Sequence, residues 1–246
     1  MRILKHLKTD WFRYGFETLA VVFGILIAFA LDNWNEDRKE DILEIQYLSG
    51  LQSDLQYDTA YYNRRISESE WIVENHVGAI RQMYKIQRSL EDVRDLLNIT
   101  GWSSEQLTTR NSTYIELTNS GSMSLINNLD LKDKIINYYR ENDQAAAHFR
   151  EFNEFTSRHA VQVNNVIKNL DKIHGYNADI YLNHIEIPDS DWIFINDPSS
   201  EKFQSLENLI DIYRSKHRSF LLSLRSLEEL SIQLVDEIHK ELELRE

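Results

Sequence analysis

The residues of this sequence with the strongest claim to chemistry are two acids that border an apolar run near the N-terminus. Glu17 and Asp32 flank residues 19–31, which read LAVVFGILIAFAL, thirteen residues without a polar group. A carboxylate in this position either reaches the lipid headgroups or lies buried between helices as a polar or proton-linked site. In the second case Glu17 would line an ion or proton path in an oligomer. Both interpretations stay open at the level of the sequence.

Other reaction chemistry finds little support. The eight histidines show no His-Glu-x-x-His spacing, and the chain has no cysteine, Gly-rich phosphate loop or Gly-x-Ser-x-Gly motif. His217 lies on a regular apolar seam and is interpreted as a core histidine, while His174 and His184 are interpreted as solvated loop residues. Asp189 and Asp191 could hold a weak calcium ion, but an Asp-rich turn is the simpler interpretation. We therefore predict a protein that is not an enzyme, with no catalytic residue, metal or cofactor.

The apolar run predicts a transmembrane helix over residues 14–34. Extended back to residue 14, the run is about 18 residues long, which is near the lower limit for a spanning helix. Trp11 and Trp34 bracket the run as interface anchors, about 35 Å apart along a helix, where amphipathic rings favour the headgroup level. A cleaved signal peptide ending near Ala28-Phe29-Ala30 and a buried core helix are the alternatives. Glu17 and the helical continuation after Trp34 argue against cleavage, and the aromatic and basic flanks argue against a core helix.

Charge predicts the orientation of this helix. Residues 1–13 contain four basic residues and one acidic residue, whereas the whole chain has a formal net charge of −13. The positive-inside bias therefore predicts a cytoplasmic tail at 1–13 and an extracytoplasmic domain at 35–246. An acidic body repels phosphate backbones, so no nucleic-acid partner is expected.

One face of the predicted transmembrane helix is lined by small residues between the two acids. The members of this stripe, separated by steps of three, four, four and four residues, are Glu17, Ala20, Gly24, Ala28 and Asp32. Small residues at such spacing let helix backbones approach closely in lipid. The stripe predicts association of the transmembrane helix and a homo-oligomer. Alanine and glycine are common in spanning helices, so a chance stripe is the alternative.

The same region resembles a family of uncharacterised bacterial single-pass membrane proteins, a domain of unknown function. The family pattern is approximately R-Y-x-x-G-E-x-x-L-V-x-x-G-I-L-I-A-L-x-x-N-N-W-N-E, and Phe16 and Asp32 depart from it. The matching residues are Arg13, Tyr14, Glu17, Gly24, Ile25, Leu26, Ile27, Ala28, Asn33, Trp34, Asn35 and Glu36. A later stretch, 113–139, is also similar to the family. The resemblance implies a location in the bacterial inner (plasma) membrane with a periplasmic domain, and it implies no activity.

The rest of the chain predicts long helices, since the whole sequence contains only 7 glycines and 2 prolines, Pro188 and Pro198. Residues 36–90 carry an apolar stripe with no break after the anchor, which predicts one continuous helix. The stripe consists of Ile45, Leu48, Leu51, Leu55, Tyr62, Ile66, Val73, Ile80 and Tyr84. Thr113 and Glu116 have capping-box spacing for a short helix. A second long helix is predicted over about 131–170, with Asp130 as its N-cap.

The third long helix shows the most regular pattern. Its apolar positions alternate by four and three, which is a heptad seam that could pair within the chain or between chains, as in a coiled coil. The seam consists of Leu206, Ile210, Tyr213, His217, Phe220, Leu224, Leu227, Ser231, Leu234 and Ile238.

Residues 171–202, between the second and third helices, contain both prolines and two β-leaning runs, 180–187 and 192–195, which predict a small hairpin or ordered loop. If the first helix rises from the membrane and the second returns, this insertion faces the membrane. Trp192 and Phe194 would then contact lipid or a partner. The alternative is that they close the end of the bundle.

These patterns predict an all-α fold, in which a transmembrane helix continues into an elongated antiparallel bundle of about three long helices. The functional hypothesis is a non-enzymatic, oligomeric scaffold or interaction protein that is anchored in the lipid bilayer and meets a protein partner in the envelope. The alternatives are a periplasmic sensory or ligand-binding module acting through a membrane partner, and an oligomeric ion or proton path using Glu17.

Overall fold

A computed structural model describes residues 3–85, 88–98, 102, 104–168, 170 and 187–245, with side chains from residue 15 onward. Within these ranges every regular element is a helix, which confirms the all-α fold. The α-helices are α1 (Ile3–Met83), α2 (Leu90–Asn98), α3 (Ser112–Asn119), α4 (Leu129–Val166), α5 (Asp189–Trp192) and α6 (Glu201–Glu243). Two 3-10 turns, Ser122–Leu125 and Ile193–Asn196, follow α3 and α5.

The first helix joins the apolar segment to the body of the protein without a break, as predicted. α1 is 81 residues long, or about 120 Å at 1.5 Å per residue. Residues 16–43 are exposed, and the first buried residue is Glu44. The helix therefore has an apolar N-terminal part outside the bundle, a short charged neck, and a C-terminal part that packs in the bundle.

Hydrogen bonds between the long helices define their directions. α6 runs antiparallel to α1, because Thr59 contacts Ser231 near one end and Tyr84 contacts Glu207 near the other. α6 is also antiparallel to α4, since Asn128 bonds Glu241 while His148 bonds Ser219.

α1 and α4, in contrast, run parallel, so the predicted return of the second helix is wrong. Glu44 of α1 bonds Asn127 just before α4, and Tyr62 bonds Asn142 further along both helices. The reason is that the chain returns to the base of the bundle before α4 begins. Residues 104–125 make this descent, and α4 then rises beside α1.

The descending segment fills the corner of the bundle opposite α6. Its backbone is held to α1 by side chains of that helix: the Arg110 N–H donates to Asp58 (2.8 Å) and the Thr113 N–H donates to Asp54 (3.2 Å). Close approach requires a glycine on α1, because a Cβ at Gly50 would lie 3.0 Å from Thr113 Cγ2. The bundle therefore consists of four elements side by side: three long helices and the descending segment, which contains short helical pieces.

The core consists of two hydrophobic clusters stacked along the bundle axis. Cluster one, nearer the apolar segment, contains Leu48, Leu51, Leu55, Tyr61, Tyr62, Leu117, Ile126, Leu131, Ile135, Tyr138, Tyr139, Ala145, Phe149, Phe220, Leu224, Leu227, Leu234 and Ile238. Cluster two, at the far end, contains Ala79, Met83, Val93, Leu96, Leu97, Val163, Ile167, Leu170, Phe194, Ile195, Phe203, Leu206, Leu209, Ile210 and Tyr213. All ten residues of the predicted heptad seam in α6 are buried, so the seam packs within the chain.

Several local predictions are corrected. The N-cap of α4 is Asn128, whose side chain accepts from the Leu131 N–H, and Asp130 lies in the first turn instead. Thr113 does not cap α3, because its hydroxyl donates to Asp54. The β-leaning run 192–195 is helical, since its buried residues, Phe194 and Ile195, are covered by packing and not by pairing with a strand. The other run, apart from Ile187, and the histidines His174 and His184 lie outside the described residues.

Candidate functional site

The predicted association stripe lies on the part of α1 that stands outside the bundle. A Cβ added at Gly24 would meet nothing within 4 Å, so the stripe is open on this helix. Among the described residues, one helix is long and apolar enough to cross a membrane, with a mean hydropathy of 1.9 over its apolar window. Trp34 is exposed at the C-terminal end of this segment, and Trp11 lies on α1 eight residues from its start.

Trp192 and Phe194 lie at the opposite end of the molecule. Both pack with cluster two, which includes Ala79 and Met83 of α1. Ala79 is about 65–70 Å along the helix from Trp34. Lipid contact of Trp192 and Phe194 depended on a second helix that returns towards the membrane, and that prediction is wrong. Contact of this pair with a protein partner stays a prediction. The indole N–H of Trp192 donates to Asp189 (3.2 Å) across one helical turn.

The bundle contains three clusters of buried polar residues, which lie at different heights along its axis. The first cluster lies at the base of the bundle. Glu44 is fully buried and accepts four hydrogen bonds: two from Asn127 (2.8 Å each) and two from the Arg245 guanidinium (2.6 and 3.0 Å). Arg245 also bonds Glu241 of α6. We call Glu44, Asn127, Arg245 and Glu241 the basal clasp. It ties α1 to α4 and α6 at the point where α1 enters the bundle.

The second group, about four turns higher, is a relay of hydroxyl groups. Asp58 Oδ2 lies 2.9 Å from the Tyr138 hydroxyl, which lies 3.1 Å from the Tyr62 hydroxyl, which in turn donates to Asn142 Oδ1 at 2.5 Å. Asn142 Nδ2 donates to the Tyr138 carbonyl, and this bond fixes Oδ1 as the acceptor. We call Asp58, Tyr62, Tyr138 and Asn142 the acid–tyrosine relay.

Counting protons shows which state of Asp58 the relay favours. If Asp58 is ionised, Tyr138 donates to it and Tyr62 donates to Asn142, so the contact between the two hydroxyls has no hydrogen. If Asp58 is protonated, it donates to Tyr138, Tyr138 donates to Tyr62, and Tyr62 donates to Asn142. Every contact is then a hydrogen bond, as buried polar groups require.

Burial acts in the same direction. It raises the pKa of the Asp58 carboxyl to about 6, with a further rise from the charge of Asp54, against the lowering effect of bonds from the Arg110 N–H and Tyr138. Burial likewise raises the pKa of Tyr62 and Tyr138, which stay neutral hydroxyls. The relay therefore holds a titratable proton near neutral pH.

The third group lies between the two hydrophobic clusters. His76 of α1 and His217 and Lys216 of α6 are fully buried, and the two imidazole centroids are 5.7 Å apart. Glu105 of the descending segment is buried beside them, with its Oε1 3.7 Å from His217 Nδ1, and it forms an ion pair with Arg65. We call these five residues the histidine layer. In α6 it separates Tyr213 of cluster two from Phe220 of cluster one.

In the histidine layer, burial away from water is the main cause of each pKa shift. Burial lowers the pKa of His76, and the charges of Lys216 and Arg214 lower it further, although a bond to the Ile72 carbonyl opposes this. Burial lowers the pKa of Lys216 to about 8, against the favourable charge of Glu105. Burial raises the pKa of Glu105, against Arg65 and Lys216.

His76 has a defined hydrogen-bonding state. Its Nδ1 lies 2.7 Å from the Ile72 carbonyl, so Nδ1 carries the proton and donates. Its Nε2 is buried without a hydrogen-bond partner. The neutral ring thus keeps a bare lone pair inside the bundle, at which a second proton would bind.

The described residues contain no group of three His, Asp or Glu side chains placed to hold a metal ion. The sequence interpretation of His217 as a buried seam residue is confirmed. Sequence reasoning missed Glu44, Asp58, His76 and Lys216, although the first three share one signal. They continue the heptad of α1 formed by the buried positions Glu44, Leu48, Leu51, Leu55, Asp58, Tyr62, Ser69, Ile72, His76, Ala79 and Met83.

Comparison with known proteins places the chain in a family without giving an activity. No curated protein and no solved structure matches it. A model described as a family of unknown function, DUF6090, matches residues 17–187, from Glu17 in the exposed part of α1 through α4 to the residue before Pro188. The match covers more than half of the chain. The chain is therefore a member of the DUF6090 family.

Proposed function

We propose that this protein is a non-enzymatic scaffold that is anchored in a bacterial inner membrane and assembles through its transmembrane helix. In this proposal residues 1–13 are cytoplasmic and the bundle projects into the periplasm, where it meets a protein partner. The orientation rests on the basic residues before the apolar segment.

The observation that carries the proposal is the unbroken course of α1. The exposed apolar segment and the buried bundle helix are one rod, and the basal clasp fixes the bundle to this rod at Glu44. Two anchors that associate would therefore set the spacing and rotation of two bundles directly. A flexible linker would not transmit this geometry.

The open small-residue stripe is the surface through which the anchors would associate. Gly24 and Ala28 would let two backbones approach closely, and close packing is what drives helix association in lipid. The heptad seam of α6 is used within the chain, so it does not compete as the main interface between copies.

Single-cysteine crosslinking in membranes tests this proposal. The chain has no cysteine, so each introduced thiol is the only one. We expect Gly24→Cys and Ala28→Cys to form disulfide-linked dimers on mild oxidation. Leu26→Cys, which is 57 % exposed on the other side of the same helix, is the matched control and should remain monomeric.

Equal crosslinking at Leu26 and Gly24, or none at any position, would contradict assembly through the stripe. The mass of the detergent-extracted full-length protein provides an independent reading, because the monomer is 29.2 kDa. A monomeric mass would also remove the ion-path alternative. If the protein is oligomeric, the same proton flux in vesicles for Glu17→Gln and the unchanged protein would exclude Glu17 as a proton site.

A further inference from the structure

The position of the histidine layer suggests a role beyond packing. Below it, cluster one is a continuous core that ends at Phe149 and Phe220, whose rings stack at 3.7 Å. Above it, cluster two begins at Ala79 and Tyr213. The hydrophobic core is thus interrupted at one level by buried ionisable side chains, so the two halves of the bundle are joined there by polar contacts.

Charged side chains near the two imidazoles come from α6, from α1 and from the descending segment. α6 contributes Lys216 and Arg214, the latter paired with Asp211. α1 contributes Arg65, and the descending segment contributes Glu105.

The other charged and polar side chains near the histidine layer do not add a second buried negative charge. Glu68, also on α1, is half exposed and bonds Arg65. At this level α4 contributes Asn153, which exchanges hydrogen bonds with the Glu105 backbone, and Thr156, which bonds Tyr213. Glu105 is thus the buried acid that faces the imidazoles among the described residues.

As pH falls, every titratable side chain in the histidine layer either gains positive charge or loses negative charge. A proton on His76 or His217 adds a positive charge beside Lys216, and a proton on Glu105 removes the buried negative charge that balances it. Like charges held out of water repel strongly, because the surroundings screen them poorly. The layer therefore becomes more positive as pH falls. Glu105 opposes the loss of stability in part, because its raised pKa lets the folded chain take up that proton more readily than the unfolded chain, and because its carboxylate lies close enough to pair with a protonated His217. His76 has no acid of this kind in hydrogen-bonding contact, since its Nε2 is buried without a partner.

We propose that the histidine layer is a pH-sensitive joint, at which uptake of protons by His76 and His217 separates α1 from α6 and loosens the half of the bundle farthest from the anchor. The basal clasp and cluster one keep the near half packed on α1. The inference does not depend on assembly of the anchor, since it concerns contacts within one chain.

The sign of the effect follows from linkage. The pKa of His76 in the folded chain lies below its value in the unfolded chain, so the open state binds the proton first. Stability of the joint therefore begins to fall below about pH 6.5, the ordinary pKa of histidine, and continues to fall towards the lowered pKa of His76 in the folded chain. Slightly acidic conditions are sufficient to populate the open form more often.

Hydrogen–deuterium exchange on the full chain in lipid nanodiscs tests the joint, with rates corrected for the intrinsic pH dependence of exchange. Between pH 7.5 and 5.5 we expect exchange in residues 69–83 and 203–217 to rise about tenfold or more. Exchange in residues 44–62 should not rise. A rise of equal size in both regions, or no rise in either, would overturn the proposal.

Two variants assign the response to the layer. The double variant His76→Gln, His217→Gln cannot take up the protons and should lose the tenfold rise, whereas His239→Gln, at an exposed position, should keep it. Lys216→Met removes the repelling charge and should reduce the rise without abolishing it. If the double variant does not fold, an unchanged rise in Lys216→Met still refutes the proposal. A rise in the folded double variant equal to that of the unchanged chain also refutes it.

Discussion

The near and far halves of the bundle handle buried charge in opposite ways. At the base, the carboxylate of Glu44 is fully buried and accepts four hydrogen bonds, two of them from a guanidinium. In the histidine layer, Nε2 of His76 is buried without a partner, and Lys216 is held over the rings of Tyr213 (4.8 Å) and Phe220 (5.7 Å). The near half buries a carboxylate whose hydrogen bonds are satisfied, and the far half buries an imidazole with a polar atom that has no hydrogen-bond partner.

This difference shows where each half is free to move. A buried charge with all its bonds satisfied holds elements in a single arrangement, while a partly satisfied buried group is the place where a bundle opens first. The acid–tyrosine relay strengthens the contrast, because protonation of Asp58 completes its hydrogen bonds and protonation of His76 does not. Acid is therefore expected to favour the near half and disfavour the far half.

The largest expected effect is loss of the basal clasp. Arg245→Met leaves Glu44 buried without its cation, and breaking a buried ion pair in this way costs about 3–5 kcal/mol. The matched control is Arg225→Met, whose ion pair with Glu70 is about half exposed and is expected to contribute less than about 1 kcal/mol. The midpoint of chemical unfolding, followed by tryptophan fluorescence, measures both. Equal shifts for the two variants would contradict the description of the near half as fixed by its clasp.

A smaller effect is expected from the relay, and it depends on pH. Because the pKa of Asp58 rises from 3.8 to about 6 on folding, the folded state holds the proton more tightly than the unfolded state. Stability is therefore greatest at low pH with respect to this group, and it falls as pH rises from about 4 to 6, by up to about 3 kcal/mol.

Asp58→Asn should remove this slope. Its Nδ2 takes the place of the acid proton and donates to Tyr138, so the direction of the relay is that of the protonated acid. The measurement is the unfolding midpoint of both chains at pH 4, 5, 6 and 7. Parallel curves for the two chains would show that Asp58 does not hold the proton.

Much of this fold follows from periodicity in the sequence, and the errors have a physical cause. The heptad of α6 was identified at all ten positions because its members are almost all apolar. On α1 the apolar residues alone gave Leu48, Leu51, Leu55 and Tyr62 correctly. In the far half they pointed one residue off the buried positions, to Val73, Ile80 and the exposed Tyr84.

The buried positions in that half include Ser69 and His76, which a pattern of apolar residues cannot reveal. The same limitation hid the candidate site. Glu44 and Asp58 stand at heptad positions and look like interruptions of a stripe, whereas their partners come from residues 52 to 201 positions away.

The parallel course of α4 was equally inaccessible from the sequence. It depends on the descending segment, whose backbone N–H groups donate hydrogen bonds to side chains of α1. No local sequence pattern predicts such contacts. The exposed apolar part of α1, in contrast, was predicted correctly as a helix outside the bundle, because its signal is local composition.

The smallest expected effect compares one glycine from each half of the bundle helix. At Gly50 in the near half, an added Cβ would lie 3.0 Å from Thr113 Cγ2 and 3.1 Å from Thr113 Oγ1. Thr113 cannot rotate freely away, because its hydroxyl donates to Asp54 (2.8 Å). At Gly78 in the far half, an added Cβ meets nothing within 4 Å. Both glycines are inside the same helix, so both variants gain the same intrinsic helix propensity.

Alanine is favoured over glycine in a helix by about 1 kcal/mol. Gly78→Ala should therefore stabilise the chain by about that amount, while Gly50→Ala should lose this gain, or become destabilising, because the descending segment must shift. The unfolding midpoints of the two variants provide the measurement, and helical content by circular dichroism is the control. Equal stabilisation by both would mean that the descending segment does not press on α1 at Gly50, and the near half would then owe its order to the basal clasp and relay alone.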